Sequence, residues 1–417
     1  MTFSATAGRT TVSRTAWLIL ALLVISGFLN YFDRSNLSVG AIDIQRELGL
    51  DNSQLGLLLS AFFWTYALMQ LLGAAGWLVD RFNVSWILAG GFFLWSGATA
   101  ITGTARVFAV LFALRLLLGI GESIAYPSYS RILANSYPEH RRGFANAAID
   151  AGTKLGPALG TLLGGILMAR YGWRAFFVVL GIVSLSWLVP WLLWMPRGLG
   201  VSAREDPAAI SAVPGIPAIL RQRSAVFSAL GLFCSNYYWY FLLTWLPPYL
   251  ESARHFSKSR MAVFGSLAYF LIAASAVFSG WLSDRFIARG HTPTRIRKSF
   301  AGLGLLFSAI IAGVPLISHP DAAMALLMAA CLAYGLFSSN LFAITQTLAG
   351  PHAAGKWTSL QNGFGNLAGV AAPWFTGWVV DRTGHFSLAF VTAAAVALCG
   401  AVFFVFGIGE IRQADFS

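Results

Sequence analysis

The sequence predicts an all-α membrane protein with twelve transmembrane helices, arranged as two parallel six-helix bundles. Three observations lead to this prediction: apolar stretches of about 20 residues recur, the basic residues are unevenly divided between the two sets of loops, and the chain contains an internal repeat. Of the 417 residues, 57% are hydrophobic and only 11% are charged. A soluble domain does not have this composition.

The apolar stretches are each long enough to cross a hydrocarbon core roughly 30 Å thick. We number them spans 1 to 12. Their predicted limits are 16–39, 55–78, 85–103, 108–132, 143–168, 174–195, 224–250, 260–283, 299–317, 323–348, 357–380 and 387–409. Span 3 is short and span 9 contains Pro315, so these two are the weakest. Span 1 is too long for a signal-peptide core and lacks a small-residue cleavage site, so we expect it to be retained.

The basic residues predict the orientation of the chain. If both termini are cytoplasmic, the inner side holds seventeen Lys and Arg residues and the outer side holds eight. This asymmetry agrees with the positive-inside rule. Together with the short outer loops, it predicts a multi-pass protein of a bacterial inner membrane with both termini in the cytoplasm. The formal net charge of +12 then reflects topology, and we expect no nucleic-acid partner.

An internal sequence repeat predicts that the chain consists of two similar halves. The hexapeptide Trp-Leu-Val-Asp-Arg-Phe at 77–82 returns as Trp-Leu-Ser-Asp-Arg-Phe at 281–286, and residues 165–172 are echoed at 377–384. An even number of helices separates the copies, so the halves share one orientation. The Pro- and Arg-rich segment 196–223 is then a cytoplasmic linker between an N-terminal bundle, 1–195, and a C-terminal bundle, 224–417. Repeats of this kind with a site between them are typical of secondary transporters.

Six charged residues lie inside the spans of the first half. They are Asp33 and Arg34 in span 1, Arg115 and Glu122 in span 4, and Asp150 and Lys154 in span 5. Charges at membrane depth are costly and usually mark a substrate or ion path, although buried ion pairs that only neutralise each other remain an alternative. Arginine suits carboxylate recognition, and a desolvated carboxylate can cycle protons. The pattern favours an ion-coupled transporter of an organic anion.

Helix geometry predicts the depth of these charges. With a rise of about 1.5 Å per residue, two tiers result. Asp33, Arg34 and Arg115 form the tier nearer the outer face, and Glu122, Lys154 and Asp150 lie near and below the midplane. Other groups expected to line the cavity are Tyr31, Tyr66, Tyr238, Gln361 and Asn362. For each polar one, helix–helix hydrogen bonding is an equally good interpretation.

Other classes of protein are disfavoured. Cys234, Cys331 and Cys399 fall inside spans and are best interpreted as small buried hydrophobes. The six histidines are scattered in or near loops without a Cys partner, so no metal or cofactor is expected. A membrane enzyme would need catalytic residues grouped in loops, and no nucleophile–base pairing is visible. A passive channel does not need a two-fold repeat with a central polar cavity.

One loop motif resembles the signature of the major facilitator superfamily. Residues 76–81 read Gly-Trp-Leu-Val-Asp-Arg, and the copy after span 8 supplies a second Asp-Arg pair. The resemblance implies a charge network that closes the inner gate, formed by Asp80, Arg81, Asp284 and Arg285. The Gly and basic pair that usually follow are replaced by residues 82–84. The alternative is that these acids merely sit in a positive loop.

Further segments resemble the anion:cation symporter family of that superfamily, which includes the sialin-like carriers. They are residues 30–38, 64–70, 115–122, 243–247 and 361–369, and bacterial sugar-acid carriers such as galactonate transporters are most similar. The resemblance implies proton-coupled uptake of a carboxylate by a protein we expect to be monomeric. Asp33 and Glu122 would carry protons, Arg34 would hold the substrate carboxylate, and Arg115 would link charge state to conformation. Tyr31, Tyr66 and Asn362 would line the site.

Span 5 departs from this pattern. Galactonate-type relatives are expected to have a polar, uncharged residue near position 154, whereas this chain has the charge pair Asp150 and Lys154. Lys154 is therefore expected either to bind a second carboxylate or to pair with Glu122. The glycines of span 5 also resemble an element of antiporters, but close helix packing explains them better. An exporter or anion exchanger on the same fold stays the main alternative.

Overall fold

A computed structural model of the chain describes residues 14–136, 139–195 and 215–414. Within these ranges the backbone forms helices joined by short turns, which confirms the all-α prediction. Ten of the helical segments described are each long and apolar enough to cross a membrane, and one of them, Ala148–Trp194, has 47 residues and carries two predicted spans. The chain is therefore a multi-pass membrane protein.

The first half contains spans 1 to 6. Its helices are Arg14–Val39 (span 1), the short Ala41–Leu48, Asn52–Leu71 continued by Ala74–Arg81 (span 2), Val84–Thr102 (span 3), Phe108–Ser123 continued by Ala125–Ser136 (span 4), and Glu139–Ser186 continued by Leu188–Trp194 (spans 5 and 6). Spans 5 and 6 are separated at Gly172, whose φ of 79° is a conformation that only glycine adopts readily.

The second half contains spans 7 to 12. Its helices are Ile216–Arg221, Arg223–Pro248 with a π-turn Tyr249–Ala253 (span 7), Lys258–Ala288 (span 8), Pro293–Ser308 with a 3₁₀ segment Ala309–Leu316 (span 9), Pro320–Asn366 continued by Ala368–Thr383 (spans 10 and 11), and Ser387–Val402 with a π-turn Phe403–Gly407 (span 12). The expected weakness of span 9 corresponds to its 3₁₀ segment, which contains Pro315; proline lacks the N–H that a regular helix needs.

Spans 10 and 11 run in opposite directions although helix continues from one into the other. The hydroxyl of Thr345 donates to Oε1 of Gln361 at 2.8 Å, so the chain has reversed between these residues. The predicted linker 196–223 falls mostly on residues 196–214, which lie outside the described ranges. The limits of the two halves therefore stay predictions.

The surfaces of the spans are sorted as a bilayer requires. Large apolar side chains such as Phe93, Val277 and Phe406 are more than half exposed, whereas polar side chains such as Asp33 and Glu122 are buried in the interior. An apolar exterior is stable against lipid and would be a liability in water. Cys234 and Cys331 are buried as expected, and Cys399 is exposed.

The helical bundle has two ends, which differ in the segments that they contain. The twelve predicted spans, as far as the described residues show them, put residues 14 and 414 at the same end, which we call the terminal face. The opposite end, with residues 40–52 and 249–258, is the distal face. Spans 1 and 4 cross the first half between these faces, and spans 2 and 7 lie where the two halves meet. The polar interior of the molecule is found between these four spans.

Candidate functional site

An ion pair between spans 1 and 4 forms the centre of the site. Nε of Arg34 donates to Oε2 of Glu122 at 2.6 Å. The arginine is 8% exposed and the glutamate is fully buried. Removal of either partner would leave an uncompensated charge in the interior. The charge of Glu122 therefore determines whether Arg34 is available to bind another anion.

Three aromatic rings surround the guanidinium of Arg34. Its Cζ lies 4.6 Å from the ring centroids of Tyr31 and Phe62 and 4.7 Å from that of Tyr66. Cation–π contacts at these distances hold a charged group without competing for its hydrogen-bond donors. Nη2 of Arg34 has no hydrogen-bond partner within the part of the chain that the structure describes. The sequence identified Tyr31 and Tyr66, but it gave no reason to select Phe62.

The second carboxylate of the site, Asp33, points to a different neighbour. The hydroxyl of Thr99 in span 3 lies 3.4 Å from Oδ2 of Asp33. Asp33 is 1% exposed, and its Oδ1 has no hydrogen-bond partner among the described residues. Arg115 in span 4 is its cationic neighbour. Asp33 and Arg34 are adjacent on span 1. Their side chains thus lie beside different partners on span 4: Asp33 beside Arg115 and Arg34 beside Glu122.

Asn30 belongs to the site, although the sequence prediction gave it no role. Its side-chain amide lies beside the carboxylate of Glu122. Asn30 is 1% exposed, and neither amide atom has a hydrogen-bond partner in the described ranges. Buried polar groups are normally satisfied, often by water. Asn30 therefore adds a polar amide to the buried surroundings of Glu122. Its position one turn before Arg34 was the available signal, but it carries no charge and was overlooked.

A small cavity of about 20 Å³ lies between the two halves. Its walls come from spans 1, 2, 4 and 7, and the lining residues are Arg34, Leu37, Leu59, Phe62, Phe63, Arg115, Leu243 and Thr244. The volume is about that of one water molecule. The two arginines are the charged groups among these lining residues, and most of the others are apolar. A positive cavity at the junction of the halves is suited to an anion.

The charges do not form the two tiers that the sequence predicted. Arg34, expected in the outer tier, reaches Glu122, expected in the lower one. The alternative in which Lys154 pairs with Glu122 is wrong in this structure, because Lys154 lies 4.0 Å from Asp150 instead. The prediction counted backbone rise and neglected side-chain length, and an arginine side chain spans more than one helical turn.

Tyr238 was expected to line the cavity, and its position contradicts this. Its hydroxyl donates to the carbonyl of Ser308 at 3.2 Å, and its ring stacks on Tyr334 at 4.8 Å, inside the second half. Tyr240 takes the central position: its ring lies 4.2 Å from that of Phe63 in span 2. Residues two apart on a helix point to nearly opposite sides, so the choice between these tyrosines depended on a rotation that the sequence does not define.

Span 11 supplies one predicted residue to the centre and keeps the other within its own half. Nδ2 of Asn362 donates to Oε1 of Gln70 in span 2 at 2.9 Å, across the two halves. Gln361 accepts from Thr345 at 2.8 Å and donates to the carbonyl of Ser228 at 3.4 Å. Gln361 therefore connects spans 7, 10 and 11, which favours the helix–helix interpretation. A role for Asn362 in the site stays a prediction.

The predicted gate residues lie at the terminal face. Arg81, Asp284 and Arg285 are exposed there, and the guanidinium of Arg285 lies over the ring of Trp281 at 5.3 Å. The side chain of Asp80 lies outside the part that the structure describes. The charge network at this face stays a prediction.

The distal face is closed by a contact between spans 2 and 11 that the sequence prediction missed. The carboxylate of Asp381 accepts from the backbone N–H groups of Asn52 at 2.9 Å and of Ser53 at 2.5 Å, and from the Ser53 hydroxyl. It thus binds the positive N-terminus of span 2. A Cβ on Gly56 would lie 2.5 Å from the carbonyl oxygen of Pro373, so the two helices are in backbone contact.

A sequence signal for this contact existed. The pattern Gly-Trp-x-x-Asp-Arg occurs at 76–81 and 280–285, and a third time at 377–382, where span 11 reaches the distal face. A second contact across the halves pairs Lys258 of span 8 with Asp43. The cavity is therefore closed toward the distal face.

Replacing Asp381 by asparagine is expected to weaken distal closure. The amide accepts hydrogen bonds less strongly than the carboxylate, and at an exposed site the loss is up to about 1 kcal/mol, or roughly fivefold in the closed-to-open ratio. The rate at which a membrane-impermeant thiol reagent, added at the distal side, labels a cysteine at Thr244 measures this in a background lacking Cys234, Cys331 and Cys399. Asp51→Asn is the matched control, since Asp51 caps its own helix through Gln54. Equal labelling rates in the background protein, Asp381→Asn and Asp51→Asn would contradict a role for Asp381 in closing the distal face.

Comparisons with known proteins identify the family and relatives of the chain. The family model described as Major Facilitator Superfamily matches residues 23–373. The chain is 32% identical to a probable sulfoacetate transporter of Cupriavidus necator over 93% of each chain. It is 30% identical to a probable galactarate/D-glucarate transporter of Bacillus subtilis, covering 98% of this chain and 94% of that one.

The fold also matches a solved structure. A bacterial homolog of the human lysosomal transporter Spinster, in an inward-facing and unoccupied conformation, has a TM-score of 0.78 and covers 96% of this chain and 97% of its own. The two sequences are 20% identical, so the likeness concerns the fold alone. It supports the fold class predicted from the sequence.

Proposed function

The chain belongs to the major facilitator superfamily, and on that premise we propose that it is a proton-coupled symporter that imports an organic anion of the sugar-acid class. The expected likeness to carriers of organic anions is confirmed by the relatives, and the protein is a transporter, not an enzyme. The substrate class, the coupling to protons and the direction of transport are what the proposal adds. The bacterial relatives and the basic terminal face support a location in the inner membrane with cytoplasmic termini.

One observation carries the proposal: Arg34 and Arg115 face the same cavity between the two halves. Two guanidinium groups at membrane depth attract an anion, and arginine can bind a carboxylate through two parallel hydrogen bonds. Nη2 of Arg34 and Nε of Arg115 have no hydrogen-bond partner among the described residues. The rings of Tyr31, Phe62 and Tyr66 keep the first guanidinium in place for a substrate.

Coupling follows from competition for Arg34. While Glu122 is ionised, its carboxylate holds Nε of Arg34 at 2.6 Å. A proton on Glu122 removes the negative charge, weakens this pair and leaves Arg34 to bind the carboxylate of the substrate. Proton and anion thus enter together, because each stabilises the site for the other. Release of the proton to the cytoplasm restores the Arg34–Glu122 pair and expels the anion.

Asp33 would be the second proton carrier. It is buried beside Arg115, and its carboxylate receives one weak hydrogen bond, from Thr99 at 3.4 Å. A buried carboxylate with so few hydrogen-bond donors depends on a nearby cation to compensate its charge, and Arg115 is that cation. When Asp33 is protonated, the charge of Arg115 is no longer balanced and is available to the anion. Arg115 would in this way couple the charge state of the site to its conformation.

Uptake into proteoliposomes tests the proposal. The purified protein is supplied with galactarate, galactonate, glucuronate or sulfoacetate under an imposed inward proton gradient. We expect at least one of these anions to accumulate, and Asp33→Asn to abolish accumulation. Uptake that ignores the gradient but rises with a preloaded anion would instead identify an exchanger. Failure of galactarate, galactonate and glucuronate would contradict the proposed substrate class, even if sulfoacetate accumulates.

A further inference from the structure

The charge pair on span 5 is not accounted for by the mechanism above. Asp150 and Lys154 lie one helical turn apart, 4.0 Å from each other, in a helix that crosses the membrane. Their side chains are 62% and 37% exposed, whereas Asp33, Arg34, Arg115 and Glu122 are all buried. An exposed pair at this depth is costly unless it faces an aqueous path.

The pair faces the junction of the two halves. Thr161 follows Lys154 by seven residues and Asp150 by eleven, which are about two and three full turns, so all three share one face of span 5. Near the distal end this face packs on span 8: a Cβ on Gly265 would lie 2.9 Å from Cγ2 of Thr161. Lys154 and Asp150 therefore point into the space between the halves.

The lipid-facing side of span 5 is a different one. Leu155, Leu159 and Leu163 are 38–44% exposed and follow one another at helical spacing. Each lies about a quarter of a turn or more away from the face that carries Lys154. The helix thus presents leucines to lipid, and the charge pair lies on the side of the substrate path.

Lys154 lies close to the binding site for the first carboxylate. Gly156, two residues further along span 5, packs on span 1, where a Cβ on it would lie 2.7 Å from Cβ of Tyr31. Two residues correspond to about 3 Å of helix rise. The ring of Tyr31 is one of the three around Arg34. Residues two apart on a helix point to nearly opposite sides, so this contact gives the depth of Lys154 and not its direction. Tyr126 of span 4 has both Arg34 and Asp150 among its electrostatic neighbours, so the charge pair of span 5 lies near the Arg34 site.

The bond between Lys154 and Asp150 is weak enough to be displaced. Exposed pairs at a spacing of four residues contribute about 0.3–0.5 kcal/mol, and this pair is at the 4.0 Å limit. An anionic group of a substrate can therefore replace Asp150 as the partner of Lys154. Without substrate, Asp150 keeps the charge of Lys154 compensated.

From this arrangement we infer that the preferred substrate is a dianion, whose first carboxylate binds Arg34 and whose second acidic group binds Lys154. The inference rests on the proposed function and adds the charge of the substrate to it. Dicarboxylic sugar acids have the required form, with acidic groups at both ends and hydroxyl groups between them. Lys154 is then the residue that separates dianions from monoanions.

Two matched probes test the role of Lys154. Galactarate and galactonate share one carbon chain and differ at one end, where galactonate has a CH₂OH group in place of the second carboxylate. Binding to the purified full-length protein is measured by titration calorimetry. We expect the wild type to bind galactarate at least tenfold more tightly, and Lys154→Gln to lower the ratio of the two affinities at least tenfold. Lys154→Arg should keep the preference, because it keeps the charge.

The outcomes separate this inference from the proposed function. Asp150→Asn is the matched control: it removes a charge one turn away and should not lower the ratio. Arg34→Gln should weaken both probes, which reports on the first carboxylate site. Gradient-driven accumulation of galactonate with no preference for galactarate would overturn the dianion inference and leave the proposed function standing. Accumulation of neither probe would overturn the inference as well.

Discussion

Replacing Glu122 by glutamine is expected to uncouple anion binding from protons. Glutamine has nearly the shape of a protonated glutamate, so it keeps Arg34 permanently free for the substrate. Galactarate affinity should rise as pH falls in the wild type, and in the variant this rise should be weaker, because only Asp33 remains to take up a proton. Accumulation against a gradient should be lost, while exchange of labelled for unlabelled anion is retained. Titration calorimetry in buffers of different ionisation enthalpy measures the proton taken up on binding.

The control for this experiment is Glu47→Gln. Glu47 is paired with Arg174 at 2.8 Å on the distal face and is far from the cavity. The substitution is chemically the same, and proton uptake on binding should match that of the wild type. A Glu122→Gln variant that still takes up a proton with the anion, as the wild type does, would remove Glu122 from the coupling mechanism.

Replacing Arg34 by glutamine is expected to abolish high-affinity binding of every anion the protein carries. Loss of one partner of a buried, hydrogen-bonded charge pair costs about 2–5 kcal/mol, which corresponds to at least thirtyfold in affinity. The affinity of Arg34→Lys should lie between those of the wild type and Arg34→Gln, because lysine keeps the charge but loses the planar donors and the stacking. Binding of galactarate and galactonate at equilibrium measures both effects.

The thermal midpoint of each variant separates binding from folding. Arg34→Gln leaves the buried carboxylate of Glu122 without its cation, so some loss of stability is expected. The double variant Arg34→Gln with Glu122→Gln removes both charges and should restore the midpoint without restoring affinity. Arg285→Gln, at the exposed terminal face, is the control for loss of an arginine. Wild-type affinity in Arg34→Gln would contradict the assignment of Arg34.

The fold could be predicted from the sequence because its determinants are local. Each span is a continuous apolar stretch, and the repeat of 77–82 at 281–286 relates the two halves. The charges of spans 1 and 4 were also identifiable, since an Asp or Arg at membrane depth needs a partner. These features depend on residue type and spacing, which the sequence contains directly.

The pairing of the charges could not be predicted in the same way. Arg34 reaches Glu122 because of the length and rotamer of its side chain, which backbone depth does not describe. Tyr240 and not Tyr238 faces the first half because of the rotation of span 7 about its axis. That rotation is set by packing against several neighbours at once, so span 7 alone does not define it.

The gate at the distal face was missed for a different reason. Asp381 contacts backbone N–H groups of Asn52 and Ser53, and backbone groups have no signature in a sequence. The third copy of Gly-Trp-x-x-Asp-Arg was visible, but its position on the opposite face from the other two had no obvious meaning. Its function becomes apparent only when spans 2 and 11 are seen in contact.

Proton movement driven by substrate is the most direct test of the central claim. Proteoliposomes that contain a pH-sensitive dye are prepared without a pH gradient, and galactarate or galactonate is added outside. A proton-coupled symporter should acidify the lumen as the anion enters, and Glu122→Gln should abolish the signal. Entry of either anion into wild-type vesicles with no change in luminal pH would contradict proton-coupled symport.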